Sequence, residues 1–268
     1  MQDLNSALFP YAYNLKKIET EPLFLPASRT GFMLTYKLLA SNLMNVLGYE
    51  KNIDINFTLP IIKFLQALIM QKESKKYPKD IIEFLEIEIL EGEIISKEKI
   101  IKEYTYKPKN MKNDISLHIT SSLVVELAPL IILLKSNLRY KSIFIEELEA
   151  HLHPKIQKII TRVIIKLLNK GYPIVITTHS DTIFQHINNM IKLYNAKNQK
   201  ELLEKLNYSK DDILDPKKIK VYEFKIINNK TEVRPLKLTK EGFEVPSFNN
   251  ALIDLAKESM ILSEAVNE

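Results

Sequence analysis

The chain has 268 residues, 46% of them hydrophobic, enough to bury a sizeable core in one large domain or two small ones. The absence of cysteine excludes a disulfide scaffold, a thiolate metal site and a cysteine nucleophile, and fits a cytoplasmic protein. A net charge of +5 is spread over scattered lysines; this is compatible with DNA as a partner, but a lysine-rich solvated surface is the simpler reading.

The N-terminal MQDLNSALFP has no basic stretch leading into an apolar one, so no signal peptide is expected. The longest apolar run, LVVELAPLIILL at 123–134, contains Glu126 and Pro129 and is too short for a bilayer, so no membrane partner is expected. The only glycines are Gly31, Gly48, Gly92, Gly171 and Gly242, and none stands in GxxxxGK[ST] or GxGxxG spacing. The usual phosphate-cradling loop is therefore absent from these residues.

Residues 1–20 are weakly patterned. LFLPA (23–27) reads as a short buried strand stopped by Pro26. Thr30 can then cap a helix to about Gly48, with Phe32, Leu34, Leu38, Leu39, Leu43 and Leu47 at helical spacing. Further helices are expected over 60–72 and 79–90, each opened by a proline, and a strand pair over 91–108. The lysine-rich 107–114 is a polar connector and ISLHI (115–119) a short strand. Ser121 or Ser122 can cap a helix over 123–138.

The next stretch carries the chemistry. A strand at 142–146 ends in Glu146 and Glu147, and Pro154 opens a helix over 155–170 that stops at Gly171. PIVITT (173–178) is a continuous apolar strand, as expected for one buried on both faces. Ser180 or Asp181 caps a helix to about Leu193, and 194–216 is charged and partly helical. A hairpin over 218–238 turns at Asn228-Asn229, and a last amphipathic helix, 246–266, is capped by Ser247.

Strand, helix and strand over 142–178 make a right-handed βαβ unit, with both strands pointing the same way. Ligands in such sheets bind beyond the carboxyl ends of the strands. Glu146 and Glu147 leave one such end; Thr178, His179 and Ser180 leave the other. Two chemistries suit that convergence. One acid can hold a hydrated Mg²⁺ while the second orients or deprotonates a water and the histidine meets a γ-phosphate. Alternatively His151-x-His153, a glutamate and His179 can bind a transition metal for hydrolysis. The bland reading is a strand followed by a polar loop. The phosphate chemistry is favoured, because His151 and His153 lie beyond the strand.

IFIEELEAHLHP resembles the extended Walker B and D-loop of ABC-type ATPases, in the form found in the OLD, RecF and SMC-like branch of AAA-family predicted ATPases, and PIVITTHSDTI resembles their switch region. ITSSLVVELAPLIILLK (119–135) is similar to that branch's degenerate signature segment, with Leu123 where glycine is commoner. LFLPASRTGFML (23–34) and EGFEVPSFNNALIDLAKES (241–259) also look like segments of these proteins. The resemblance implies an α/β fold, a partial P-loop NTPase (ABC-ATPase head) with a parallel sheet core. It implies a single incomplete domain over 1–268, with a helical and signature subdomain at 30–140 and a Walker B, D-loop and switch lobe at 141–268.

By the same resemblance, Glu146 holds Mg²⁺ through water, Glu147 is the catalytic glutamate, and His179 is the switch histidine. His153 falls in the D-loop, and Ser121 and Ser122 reach an ATP held by an opposing subunit. Leu148 replaces the usual proline after the acids, a change of turn rigidity and not of charge. Only about twenty residues precede LPASR, where family members place Walker A well upstream. The chain then reads as a fragment, as one half of a split gene whose Walker A-bearing partner completes it, or as a domain that has lost turnover. The implied activity is Mg²⁺-dependent ATP hydrolysis in a homo- or hetero-dimer, coupled to DNA maintenance or phage defence. The rival is a non-hydrolysing assembly module. Arg29 is read as a surface or salt-bridge residue with phosphate or DNA contact as the sharper option, and Glu149 as a residue that shapes the D-loop.

Overall fold

The structure, a computed structural model, describes residues 22–48, 57–136, 140–244 and 246–267. Residues 1–20 of the sequence reading lie outside that set, as do the side chains of Leu43 and Leu47. The described residues form two compact units, 22–183 and 184–267.

In the first unit β1 (Leu23–Leu25) leads through Pro26 into α1 (Arg29–Gly48). Thr30 is not the cap expected of it: the helix begins one residue earlier, and the Thr30 hydroxyl and N–H both donate to Glu126. α2 (Leu59–Met70) carries Pro60 in its first turn, where a missing N–H costs little. α3 (Lys79–Leu85) runs into a single wide turn at Glu86–Leu90. The antiparallel strands β2 (Gly92–Lys97), β3 (Glu103–Pro108) and β4 (Ile115–Ser116) form a small sheet in that order. The strand expected over 115–119 covers only its first two residues, because Leu117–Ile119 turns as a 3₁₀ helix before α4 (Ser122–Leu134). Ser121 is the N-cap of α4, its Oγ accepting from the Val124 N–H at 3.4 Å.

β5 (Ile143–Ile145), α5 (Pro154–Asn169) and β6 (Ile174–Ile176) make the βαβ unit. β5 and β6 are adjacent and parallel, with Ile143 opposite Ile174 and Ile145 opposite Ile176. β1 pairs parallel on the other side of β5, giving the order β1-β5-β6. α5 ends as read from the sequence, with Gly171 at φ 90°, a backbone angle glycine adopts without penalty. The α/β class and the parallel core follow from the alternation of apolar strand and amphipathic helix.

One sequence expectation changes here. Among the described residues β5 is the central strand and the sheet ends on β1 and β6. β6 is half-buried at Ile174, Val175 and Ile176 and not covered on both faces among the described residues. Pro173 and Thr177 direct their backbone bonds to β5, so alternation leaves the amides of Ile174 and Ile176 on the open side.

The core of this unit lies among α1, α2, α4 and the sheet. Leu25, Leu65, Leu68, Ala128 and Ile131 have no exposed surface, and Val124–Leu134 is buried throughout. Each fully buried leucine or isoleucine contributes about 1.5–3 kcal/mol relative to exposure. α5 presents Arg162 and Lys166 to the Phe84 ring of α3, with 4.9 and 5.2 Å to the centroid.

In the second unit α6 (Asp181–Asn195), which crosses the boundary, is followed by α7 (Gln199–Leu206) and two 3₁₀ turns. The hairpin β7 (Tyr222–Ile227) and β8 (Lys230–Pro235) turns through Asn228 and Asn229, both at positive φ as a two-residue hairpin loop requires. β9 (Leu238–Thr239) and β10 (Gly242–Phe243) form a second short ladder. α8 (Pro246–Asn267) begins at the proline, which puts Ser247 inside its first turn. Among the described residues no helix is long and apolar enough to cross a membrane.

Candidate active site

The site lies at the carboxyl ends of β5 and β6, where two short strands release their chains into loops on the same sheet edge. Glu146 continues the pairing for one residue, its N–H donating to Leu25 O at 2.9 Å. Its carboxylate, half-buried, accepts from the Ala27 N–H at 3.3 Å. The acid is thus held against the loop that leaves β1.

Glu147 then breaks the strand with φ 43°, in the left-handed region, where a residue with a Cβ is strained by about 1–2 kcal/mol. Its neighbours hold it there. The Glu147 N–H donates to Thr177 Oγ1 at 3.0 Å, and its C=O accepts from Arg29 Nη2 at 3.1 Å. The side chain itself is exposed. Leu148, where a proline is usual in the resembling family, is buried and donates its N–H to Thr177 O at 3.2 Å. Packing and that bond supply the rigidity a proline would otherwise bring.

Glu149 joins the two loops. Its carboxylate accepts from Thr178 Oγ1 at 2.7 Å and from the His179 backbone N–H. Gln157 adds a second tie, donating to Leu152 O at 2.8 Å and accepting from the Ser180 hydroxyl. Ser180 Oγ in turn accepts from the Ile183 N–H at 3.2 Å and so caps α6. His179 and His153 are exposed. His153 is the N-cap of α5, with Nδ1 accepting from the Lys155 N–H at 3.3 Å.

The structure brings Glu146, Glu147 and Glu149 together with Thr177, Thr178, His179 and Ser180. Ser121 and Ser122 are exposed at the start of α4, and that helix reaches the acids through another residue, Glu126. Glu126 is fully buried and meets Arg29 Nη2 at 2.6 Å. Arg29 is itself only 4% exposed, which removes the DNA or free-phosphate option for it. Burial pushes the Arg29 guanidinium below the ordinary arginine value, and the Glu126 charge and hydrogen bond oppose that shift.

Thr177, Gln157 and the identity of Glu126 as the partner of Arg29 do not emerge from the sequence, which offers Arg29 only as a surface or salt-bridge residue. A signal existed for one of them. Glu126 is the lone acid in an otherwise apolar helix, and a buried charge demands a partner.

Apart from the exposed His179 imidazole, the donor set at the sheet edge is carboxylate and hydroxyl oxygen, which suits Mg²⁺. Among the described residues no group of three or more His, Asp or Glu is placed to hold a metal ion by itself. The His-x-His hydrolase reading therefore gains nothing from the geometry, whereas a cation held by one acid, waters and a phosphate needs no such group.

A family model described as an AAA ATPase domain matches residues 35–184, more than half of the chain. No curated protein matches this sequence. One solved structure, described as "Structural biochemistry of ATP-driven dimerization and DNA stimulated activation of SMC ATPases", is similar at 13% identity. The match covers 78% of this chain and 95% of that one, with a TM-score of 0.38.

Proposed function

This chain belongs to the AAA ATPase domain family, and from that premise we propose that it carries the hydrolytic half of an ABC-type ATP site. The observation that carries the reading is the pinning of Glu147 between Thr177 and Arg29, at the strand edge it shares with His179. An exposed carboxylate carried on a left-handed backbone that is held from both sides is what a water-positioning group needs. In this reading Glu146, half-buried and oriented by Ala27, holds Mg²⁺ through water. Glu147 orients and deprotonates the attacking water. His179, its backbone fixed by Glu149, meets the γ-phosphate. Mg²⁺, when bound, neutralises charge on the phosphate oxygens. Ser121, Ser122 and His153 face nucleotide across a dimer.

None of the five glycines builds a phosphate loop, so Walker A comes from another segment or subunit. The end of the sheet at β6 supports this, because among the described residues this apolar strand has a neighbour on one side only, and such an edge is a template for a further strand. Membership of the OLD, RecF and SMC-like branch, and a role in DNA maintenance or phage defence, follow from the resemblance of the Walker B and switch segments.

The test is ATP hydrolysis with Mg²⁺ by the chain alone and by the chain with a Walker A-bearing segment or subunit. Turnover is expected only in the second case. Robust turnover by the 268 residues alone would sink the shared-site reading. No turnover in either arrangement leaves the non-hydrolysing assembly module as the better account.

A further inference from the structure

The Arg29 guanidinium spends its donors on three separate segments. Nη1 donates to Pro26 O at 3.1 Å and to Glu146 O at 2.7 Å. Nη2 donates to Glu147 O at 3.1 Å and pairs with Glu126 Oε1 at 2.6 Å. The other oxygen of Glu126 accepts from Thr30 N at 3.1 Å and from Thr30 Oγ1 at 2.6 Å. One buried ion pair therefore joins the loop after β1, the main chain of both site acids, and α4, the helix capped by Ser121.

A salt bridge that served packing alone would have no reason to end on the carbonyls of Glu146 and Glu147. Those carbonyls sit where the backbone turns left-handed, and the Thr177 hydroxyl holds the opposite side of the same residue. A planar fork can reach two adjacent carbonyls and a carboxylate at once, which a lysine ammonium cannot do in fixed geometry.

We propose that Arg29 is a positioning residue for Glu147, and that its pairing with Glu126 couples the seating of the Ser121-capped helix to the geometry of the acid pair. The inference rests on the reading of Glu147 as the water-positioning group. A shift of α4 moves Glu126, the guanidinium follows its partner, and the φ of Glu147 loses one of its two restraints.

The experiment compares the parent chain with the double variant Arg29→Met/Glu126→Met, since removing both partners leaves no unpaired buried charge. Amide hydrogen exchange is read at 146–149, and kcat and KM for ATP are read in the protein purified with its native partners. The expected result is a folded chain whose Tm is lowered, because Thr30 and the Pro26, Glu146 and Glu147 carbonyls lose partners, with exchange at Glu147 and Leu148 raised about tenfold or more beyond the rise elsewhere in the unit. The kcat falls by about tenfold with KM for ATP unchanged, and Arg29→Lys restores neither. Thr177→Val, at an exposed position on the other side of the restraint, raises the same exchange. If the double variant fails to fold, Arg29→Lys, which keeps the charge of the buried pair and loses the planar fork, is read in the same way.

Parental exchange at 146–149 in these variants overturns the proposal and leaves Arg29 a packing residue. Absence of ATP turnover in the parent complex overturns the ATPase reading instead, and the exchange measurement still decides the positioning.

Discussion

The carboxylate of Glu149 accepts the Thr178 hydroxyl at 2.7 Å, so that the loop after the acids grips the loop that carries His179. The same carboxylate takes the His179 N–H, and Gln157 repeats the tie one turn along through Ser180. Glu149→Ala releases both bonds. It is expected to cost about 1–2 kcal/mol of stability, the ordinary range for hydrogen bonds to a charged group discounted for partial exposure. It should also raise hydrogen exchange at the His179 amide. Exchange at that amide equal to the parent's would show that Gln157 alone holds the loop.

Much of this site was legible from the chain, for identifiable reasons. An apolar run ending in Glu146-Glu147, a helix of crossover length, and a second apolar run ending in Thr-His-Ser specify a parallel βαβ unit, and the shared direction of its strands places both polar ends on one edge. What stayed hidden was long-range. Arg29 and Glu126 are 97 positions apart, and neither local period nor spacing reveals that they meet. Thr177 reads as the tail of an apolar strand, yet its hydroxyl accepts the Glu147 N–H. The half-exposure of β6 was equally unreadable, because a strand of Ile, Val and Ile looks the same at an edge as at a centre.

In the second unit, Gly242 sits at φ 105°, and a Cβ there would lie 2.2 Å from Asn188 Oδ1. That oxygen accepts from the Phe243 N–H at 2.9 Å, while Nδ2 donates to Phe243 O at 2.8 Å. Asn188→Ala leaves two buried backbone groups without this partner, at about 1–3 kcal/mol each. Gly242→Ala adds backbone strain to the clash and is expected to destabilise by at least about 1 kcal/mol. Urea unfolding of the full chain checks both, and a Gly242→Ala variant as stable as the parent would contradict the geometry.

Glu103 gives a pH signature. Hydrogen bonds from Lys37, at 2.5 Å, and from Lys99 hold its carboxyl down at about 2. A carboxylate lowered in the folded state stabilises the protein above its unfolded value and loses that contribution as pH falls through the folded one. The window therefore runs from the ordinary glutamate range down to about 2. Thermal scans across it should show Tm falling with acid, and the fall should be smaller in Glu103→Gln. Because the lysines are solvent-facing, raised salt should shrink the difference between the two proteins. Parallel Tm curves for the two proteins would remove the assignment.

Glu147→Gln addresses the mechanism most directly. The side chain is exposed, and its backbone is held by Thr177 and Arg29 through main-chain atoms that the substitution leaves alone. Folding and the left-handed turn should therefore persist, with Tm close to the parent's. An amide has no useful basicity at neutral pH, so it cannot take the proton of an attacking water, though it can still accept a hydrogen bond. In the completed site, kcat is expected to fall by about 10²–10⁴-fold, the usual contribution of a placed general base. The KM for ATP should change little, because Glu147 is not assigned to nucleotide binding. Bound ATP should then outlive the parent's, so filter-retained nucleotide rises while released phosphate falls. Glu146→Gln is expected to differ by weakening the dependence on Mg²⁺ concentration. Full turnover in Glu147→Gln, with Glu149 intact beside it, would transfer the base role away from this residue.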